Sequence, residues 1–287
     1  MVTQRWLPTA PGVQLFVAGI DGPPSAALLV VHGGPDWDHS YLVDPLARLG
    51  GRCQVVLPDL RGCGRSTVGL REDQYNPDAA IGDLLMVLDR LHLKQVTVLG
   101  FSYGGLLAQR LTVAAPERVR RLVVASSSVL PAEMGPFDTV PGRSSRIAAE
   151  AAVWSDSRLS GVEQVRAAAI AGADANVWRV DARADYLNRI HRIRFTAEWA
   201  RPWRAATLPS ARLERPIEQL AATAVPVLLL HGAYDMTFPA ELAHRAAELL
   251  PNAAAVVLDD AAHMAHIDQP DQWIAAVTEF LGITDQR

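Results

Sequence analysis

Short runs of apolar residues alternate with helical patterns along most of the chain. Seven runs have the length of buried strands and cover residues 15–18, 27–31, 55–57, 96–99, 122–125, 227–230 and 254–258. Between them lie segments predicted as helices, over residues 41–49, 78–91, 106–115, 240–250 and 272–281. The clearest helix carries apolar residues at positions 81, 84, 85, 88 and 91, which is the spacing of one helix face.

The strand runs are apolar throughout and do not alternate between apolar and polar positions. Strands of this kind are buried on both faces, which is typical of a parallel sheet covered by helices on each side. The pattern therefore predicts an α/β fold with a mostly parallel central sheet flanked by helices.

The middle of the chain lacks strand patterns. Residues 131–222 hold 13 of the 26 arginines, four of the seven tryptophans and many alanines, a composition that favours helices. We expect a helical cap over residues 131–222, inserted between the two halves of a core formed by residues 1–130 and 223–287. Its arginines are matched by 11 acidic residues, which indicates a solvated surface of ion pairs.

Composition narrows the functional classes. The net charge is −4 and Lys94 is the only lysine, so no strongly basic surface is expected for nucleic acid or an anionic membrane. The chain opens without a signal-peptide pattern and contains no apolar run of about 18 residues, which predicts a cytoplasmic protein without a membrane span. Cys53 and Cys63 are expected to be free thiols, because two cysteines make no disulfide framework.

The strongest chemical signal is the segment Gly100-Phe-Ser-Tyr-Gly-Gly105, which lies between a predicted strand and a predicted helix. Glycines two residues on either side of Ser102 allow the sharp turn that lifts a serine hydroxyl above a sheet. The same turn aims free N–H groups of the following helix at the reacting centre. Ser102 is therefore the predicted nucleophile.

A nucleophilic serine needs a base and an acid that orients the base. Asp235 follows the strand at 227–230 and His263 follows the strand at 254–258, so both lie at carboxyl ends of strands on the same sheet edge as Ser102. His266 competes with His263 as the base. Asp259 and Asp260 are the alternatives to Asp235.

The segment His32-Gly-Gly-Pro35 follows another strand and predicts an oxyanion hole. Such a hole needs two N–H donors from different segments, and we expect Tyr103 to supply one and Gly34 the other. The side chains of His32, Asp36, Asp38 and His39 offer a competing interpretation as metal ligands, although their spacing is not that of a closed tetrahedral site. The loop of residues 59–66 resembles a phosphate loop but lacks its Lys-Ser/Thr ending, which favours a structural loop that supports the site.

Taken together, these motifs resemble the α/β-hydrolase superfamily and, within it, the prolyl aminopeptidase (proline iminopeptidase) branch. The resemblance covers nearly the whole chain except the helical insertion. It implies hydrolysis through an acyl-enzyme on Ser102, with His263 as general base and then acid, Asp235 orienting it, and no metal or organic cofactor. The chain departs from the branch at Met236, where some members have glutamate, and at Asp36, where the branch usually has glycine.

Substrate contacts are expected from the cap and from the residue after the predicted acid. The candidates are Trp154, Trp178, Glu198, Trp199 and Met236. The expected partner is a small molecule or short peptide-like substrate, cleaved at an ester or amide bond. An esterase or lactonase without aminopeptidase activity, a non-hydrolytic acyl transferase or cyclase, and a non-catalytic binding protein are the other functions considered.

Overall fold

A computed structural model describes residues 2–131 and 140–283 of this chain. The predicted cap begins at residue 131, so its residues 132–139 lie outside the described part.

The described residues form one eight-stranded sheet. Its strands are β1 (Val2–Ala10), β2 (Val13–Ile20), β3 (Ala27–Val31), β4 (Gln54–Pro58), β5 (Val96–Phe101), β6 (Val119–Ala125), β7 (Val227–Gly232) and β8 (Ala253–Leu258). They lie in the order β1-β2-β4-β3-β5-β6-β7-β8. The hairpin β1–β2 is antiparallel and joins β4 in antiparallel fashion, whereas β4, β3 and β5 to β8 run parallel. The predicted fold class is confirmed.

The central strands are buried on both faces, as their apolar sequences predict. In β3, Leu28 and Val30 pack into the core on one side of the sheet, while Leu29 and Val31 pack into the core on the other. These two cores hold the helices against the sheet.

Twelve helices surround or extend the sheet within the described residues. They are α1 (Val43–Leu46), α2 (Pro77–Arg90), α3 (Tyr103–Ala114), α4 (Arg143–Ser155), α5 (Gly161–Ala171), α6 (Ala173–Asn176), α7 (Arg183–Ile190), α8 (Ala200–Arg204), α9 (Pro216–Thr223), α10 (Glu241–Leu249), α11 (Ala265–Asp268) and α12 (Pro270–Leu281). Helix α2 begins where the predicted stripe requires, because the Asn76 side chain accepts a hydrogen bond from Ala79 N at 2.8 Å.

Two sequence predictions differ from the structure. The strand β1 was not predicted because its side chains at Gln4 and Arg5 are exposed at the sheet edge, so it has no apolar run. The helix predicted over residues 41–49 differs in form, since it is divided into three short helical pieces: 3₁₀ turns at His39–Leu42 and Ala47–Leu49 flank the short α1. Asp44, which precedes Pro45, has an extended ψ of 127° within it.

The segment between β6 and β7 carries α4 to α9 and contains no strand among its described residues. We call this segment the insertion. Surface ion pairs such as Arg183–Asp174 and Arg179–Asp181 use part of its arginine content. Arg189 differs, because it is buried and, besides its ion pair with Asp185, donates to the backbone oxygens of Tyr41 and Asp44. Across the described part of the chain, every helix falls short of the length and apolar character that a bilayer crossing requires.

Candidate active site

Ser102 occupies the turn between β5 and α3. Its backbone is left-handed, with φ of 53° and ψ of −121°, a conformation that a serine adopts only when its surroundings impose it. The surroundings are glycines that no other residue can replace without movement. A Cβ on Gly100 would lie 2.3 Å from the Gly104 oxygen, and one on Gly104 would lie 2.2 Å from the Val31 oxygen. Close packing at this turn therefore fixes the position of the serine hydroxyl.

The structure brings Ser102, His263 and Asp235 into one hydrogen-bonded chain. His263 Nε2 lies 3.0 Å from Ser102 Oγ, and His263 Nδ1 lies 2.9 Å from Asp235 Oδ2. Since the ionised carboxylate can only accept, Nδ1 carries the proton and Nε2 is left to accept from the serine hydroxyl. This arrangement can remove a proton from Ser102 and hold it on the imidazole.

The Asp235 carboxylate is fully buried yet well supported. Its Oδ1 accepts from Thr237 N at 2.8 Å and from Phe238 N at 2.9 Å. Burial alone would raise the pKa of Asp235, but the charge and hydrogen bond of His263 outweigh it and hold the pKa below its ordinary value. Asp235 is therefore ionised at neutral pH. The alternatives Asp259 and Asp260 are exposed.

His266 lies near His263 but makes no hydrogen bond to Ser102. It is fully buried among Tyr41, Phe101 and Trp273. The Tyr41 backbone offers only a marginal contact, so neither ring nitrogen has a hydrogen bond of normal geometry to a described residue. Burial lowers its pKa well below the ordinary value for histidine. His266 is therefore a neutral core residue.

We expect His266→Phe to keep activity within about twofold of the wild type. The substitution removes two unsatisfied polar atoms from an aromatic environment, so the free energy of unfolding should stay equal or rise by about 1 kcal/mol. Ester turnover and urea denaturation measure the two effects. A loss of activity comparable to that of a His263→Ala variant would show that the base has been misassigned.

The glycine loop after β3 lies directly against Ser102. A Cβ on Gly33 would be 2.9 Å from Ser102 Cβ, and Gly33 N donates to Tyr41 Oη at 2.8 Å. Gly34 and Tyr103, the expected oxyanion donors, both line the cavity beside Ser102. The loop of residues 59–66 supports this region through Asp59, whose Oδ1 accepts from His39 Nδ1 at 2.6 Å and whose Oδ2 accepts from Arg65 N at 2.9 Å.

The side chains considered as metal ligands each have protein partners. His32 Nε2 accepts from Leu60 N at 3.0 Å, His39 bonds Asp59, and Asp38 Oδ2 accepts from Arg194 N at 2.9 Å. Within residues 2–131 and 140–283, no three histidine, cysteine or acidic side chains converge as a metal ion would require.

Asp36 joins the glycine loop to the insertion, a role that the sequence did not suggest. Its carboxylate accepts from Trp199 N at 3.0 Å, Ala200 N at 2.8 Å and Thr196 Oγ1 at 3.0 Å, and its backbone oxygen accepts from Thr196 N at 2.9 Å. The residue is only 3% exposed, and burial raises its pKa above the ordinary value. Its left-handed φ of 72° is one that Asp tolerates better than most residues. Asp36 therefore fixes the inner edge of the insertion beside Gly34.

A cavity of about 390 Å³ opens next to Ser102 and His263. Glycine-loop and β5–α3 residues form one wall, and the insertion forms the other with Trp154, Trp199 and several alanines. Trp199 packs its ring against Tyr103, with centroids 5.9 Å apart. Two of the predicted substrate contacts, Trp154 and Trp199, thus line the cavity.

Three predicted substrate contacts, Trp178, Glu198 and Met236, are not among the residues that line the cavity, so a contact of these side chains with substrate stays a prediction. Trp178 stacks on Tyr234 with ring centroids 3.8 Å apart. Met236 is buried in a small cluster with Val140 and Ala175.

Glu198 points away from the cavity because its neighbour Trp199 occupies the inward direction. The Glu198 carboxylate accepts from Gly69 N at 3.2 Å and bonds the Tyr75 hydroxyl and Arg201. It therefore holds the 69–75 segment to the insertion.

Two further cavity residues were missed. Glu150 brings a carboxylate into the insertion wall, and its Oε1 accepts from Trp154 Nε1 at 3.2 Å one helical turn away. Trp203 lines the cavity mouth, 63% exposed, with its ring 6.3 Å from that of Trp154. The sequence signal for Glu150 is its i, i+4 spacing from Trp154, a predicted substrate contact, because this spacing places both side chains on one helix face.

The α/β hydrolase fold family matches this chain over residues 26–270. Among curated relatives, a haloalkane dehalogenase of Mycolicibacterium paratuberculosis is 36% identical over 37% of this chain and 35% of its own length. The chain thus spans about a third of that relative. A 2-hydroxymuconate semialdehyde hydrolase of Pseudomonas sp. strain CF600 is 27% identical over 96% of this chain and 95% of its own. A proline iminopeptidase of Lactobacillus delbrueckii subsp. bulgaricus is 37% identical over 36% of each chain.

Solved structures share the whole fold. A proline iminopeptidase-related protein from Thermus thermophilus superposes with a TM-score of 0.73 at 22% identity, over 98% of each chain. The esterase RhEst1 from Rhodococcus sp. ECU1013 superposes with a TM-score of 0.74 at 22% identity, also over 98% of each chain. At this identity the likeness concerns the fold alone, while the sequence match confirms the resemblance to proline iminopeptidases. The chain belongs to the α/β hydrolase family.

Proposed function

We propose that this protein is a serine hydrolase that cleaves an ester or amide of a small-to-medium substrate through an acyl-enzyme on Ser102. The observation that carries the proposal is the chain of hydrogen bonds from Ser102 through His263 to the buried Asp235, at the edge of an accessible cavity. The cavity volume of about 390 Å³ lies at the small end of the range for ligand sites, which suits a substrate of this size.

In the proposed first half-reaction, Ser102 Oγ attacks the substrate carbonyl and His263 Nε2 takes its proton. The N–H groups of Gly34 and Tyr103 stabilise the negative charge on the carbonyl oxygen. His263 then gives the proton to the departing alcohol or amine, which leaves the acyl group on Ser102. In the second half-reaction, His263 activates water in the same way and the acid product departs.

A second candidate is the cleavage of aminoacyl amides, as the resemblance to prolyl aminopeptidases suggests. An aminopeptidase needs a carboxylate in its cavity to meet the positively charged amine of the substrate. Glu150 supplies a carboxylate in the insertion wall, and its hydrogen bond from Trp154 Nε1 occupies only part of the acceptor capacity of its two oxygens. This observation favours aminoacyl substrates over simple acyl esters.

The direct test compares aminoacyl β-naphthylamides with acyl nitrophenyl esters of increasing chain length. Turnover of either series supports a hydrolase, and their ratio of kcat/KM separates the two candidates. Product masses identify the reaction, because hydrolysis adds one water whereas cyclisation or acyl transfer does not. If the protein turns over neither series and fails to react with a fluorophosphonate, the proposal is wrong.

We expect Glu150→Gln to raise KM for aminoacyl β-naphthylamides by about 10- to 100-fold and to leave acyl nitrophenyl esters within about twofold. The amide keeps an acceptor for Trp154 Nε1 but removes the charge that would hold an ammonium group. Glu163→Gln, at an exposed position of α5, is the matched control and should change neither reaction. Equal losses with both substrates would show that Glu150 acts on the shape of the cavity instead.

A further inference from the structure

A second imidazole lies behind the Asp235 carboxylate. His231 is the fifth residue of β7, is fully buried, and precedes Asp235 by four residues. Its Nε2 lies 2.9 Å from the Phe238 oxygen and 3.5 Å from Asp235 Oδ2. Asp235 Oδ2 therefore has two imidazole nitrogens close to it, Nδ1 of His263 at 2.9 Å and Nε2 of His231 at 3.5 Å.

The tautomer of His231 follows from its partners. The Phe238 carbonyl can only accept, so Nε2 of His231 must carry a proton. The same Nε2 lies 3.5 Å from Asp235 Oδ2, so the N–H dipole is close to the carboxylate although its hydrogen bond goes to Phe238. Nδ1 has no hydrogen-bond partner among the described residues. A buried nitrogen without a partner disfavours the folded state, so what this histidine contributes comes through Nε2 and not through Nδ1.

His231 also anchors the turn that carries the acid. Phe238 accepts from His231 through its oxygen and donates to Asp235 Oδ1 through its nitrogen. Thr237, between them, donates to Asp235 Oδ1 and lines the cavity. The imidazole of His231 thus fixes the turn that holds the Asp235 carboxylate.

We infer that His231 is a positioning residue that places a second imidazole N–H dipole beside Asp235 and thereby sets the pH range in which the Asp235–His263 pair acts as a base. This inference rests on the proposed function of Ser102 and His263. A carboxylate whose charge is partly balanced by His231 holds an added proton on the Asp235–His263 pair less strongly, so Ser102 should stay reactive to lower pH.

Among the described residues, three titratable groups interact with the charge of His231. Asp235 and His263 lie on neighbouring loops, and His244 lies on α10. Burial lowers the pKa of His231, so its own ring stays neutral through the range in which the reaction is measured. A change in the acid side of the profile can then be traced to the Asp235–His263 pair.

The test is the rate of fluorophosphonate labelling of Ser102 as a function of pH, which needs no knowledge of the substrate. In His231→Phe the midpoint on the acid side should move up by about 0.5 to 1 pH unit. His231→Gln, whose amide can still donate to the Phe238 oxygen, should restore most of the wild-type profile. His266→Phe, a matched buried histidine, should leave the midpoint in place.

His231→Asn takes the place of the Phe variant in this test if the Phe variant does not fold. Its shorter amide does not reach the Phe238 oxygen, so it should move the midpoint in the same direction as Phe. Coincident midpoints in wild type and a folded Phe or Asn variant, even with slower labelling, would overturn the inference and leave a purely structural role. Labelling that does not depend on Ser102 would instead overturn the proposed function.

Discussion

Replacement of Ser102 by alanine is expected to lower ester or amide turnover by about 10⁴- to 10⁶-fold and to abolish fluorophosphonate labelling. The loss is large because the hydroxyl is the only atom of the proposed site that bonds to the acyl group, and serine and histidine act as one unit. Turnover by stopped assays and intact mass after labelling measure both effects. The turn itself should survive, since Ser102 holds it through its backbone.

Ser127→Ala is the matched control for Ser102. Ser127 follows β6, is buried, and its hydroxyl has no hydrogen-bond partner in the described part of the chain. Its replacement should leave labelling and turnover intact. Residual labelling of the Ser102→Ala protein at the wild-type rate would place the nucleophile elsewhere, whereas parallel losses in both variants would point to damage of the fold.

The second large effect is expected at Asp36. Asp36→Gly should lower the free energy of unfolding by about 2–4 kcal/mol, because two backbone N–H groups and one hydroxyl lose a buried acceptor at 2.8–3.0 Å. Glycine accepts the left-handed φ, so the variant isolates the loss of the carboxylate from backbone strain. Chemical denaturation measures stability, and kcat should fall about tenfold as Trp199 and the glycine loop lose their common support.

Two companions separate charge from hydrogen bonding at this position. Asp36→Asn keeps one carbonyl acceptor and removes a desolvated charge, so its cost should be about 1 kcal/mol. Asp271→Asn breaks an exposed ion pair with Arg48 and should change stability by less than about 0.5 kcal/mol. If Gly and Asn at position 36 cost the same, the carboxylate does not hold the insertion.

Sequence patterns were sufficient for the parts of the molecule that local physics determines. Strands such as β3 and β5 have helices on both of their faces, so consecutive residues must all be apolar. A run of apolar residues is visible in the sequence itself. The turn around Ser102 was predictable for the same reason, since Gly100 and Gly104 face backbone atoms at distances no side chain allows.

The residues that were not predicted depend on distant partners. Glu198 and Trp199 are neighbours, yet one bonds the 69–75 segment and the other lines the cavity. Their directions follow from Asp36, which lies 163 residues before Trp199 and bonds its backbone nitrogen. Composition indicated that the insertion would be rich in tryptophan, but not which indoles would face the cavity.

The backbone at Ser102 has a consequence for anyone who tries to make this protein more heat-resistant. A left-handed φ of 53° suits glycine better than serine, so the turn is less stable with serine than with glycine but presents a nucleophile. Selection by melting temperature alone would favour glycine at position 102, and the nucleophilic hydroxyl would be lost without being noticed. Libraries built on this scaffold therefore need a reactivity screen alongside the thermal one.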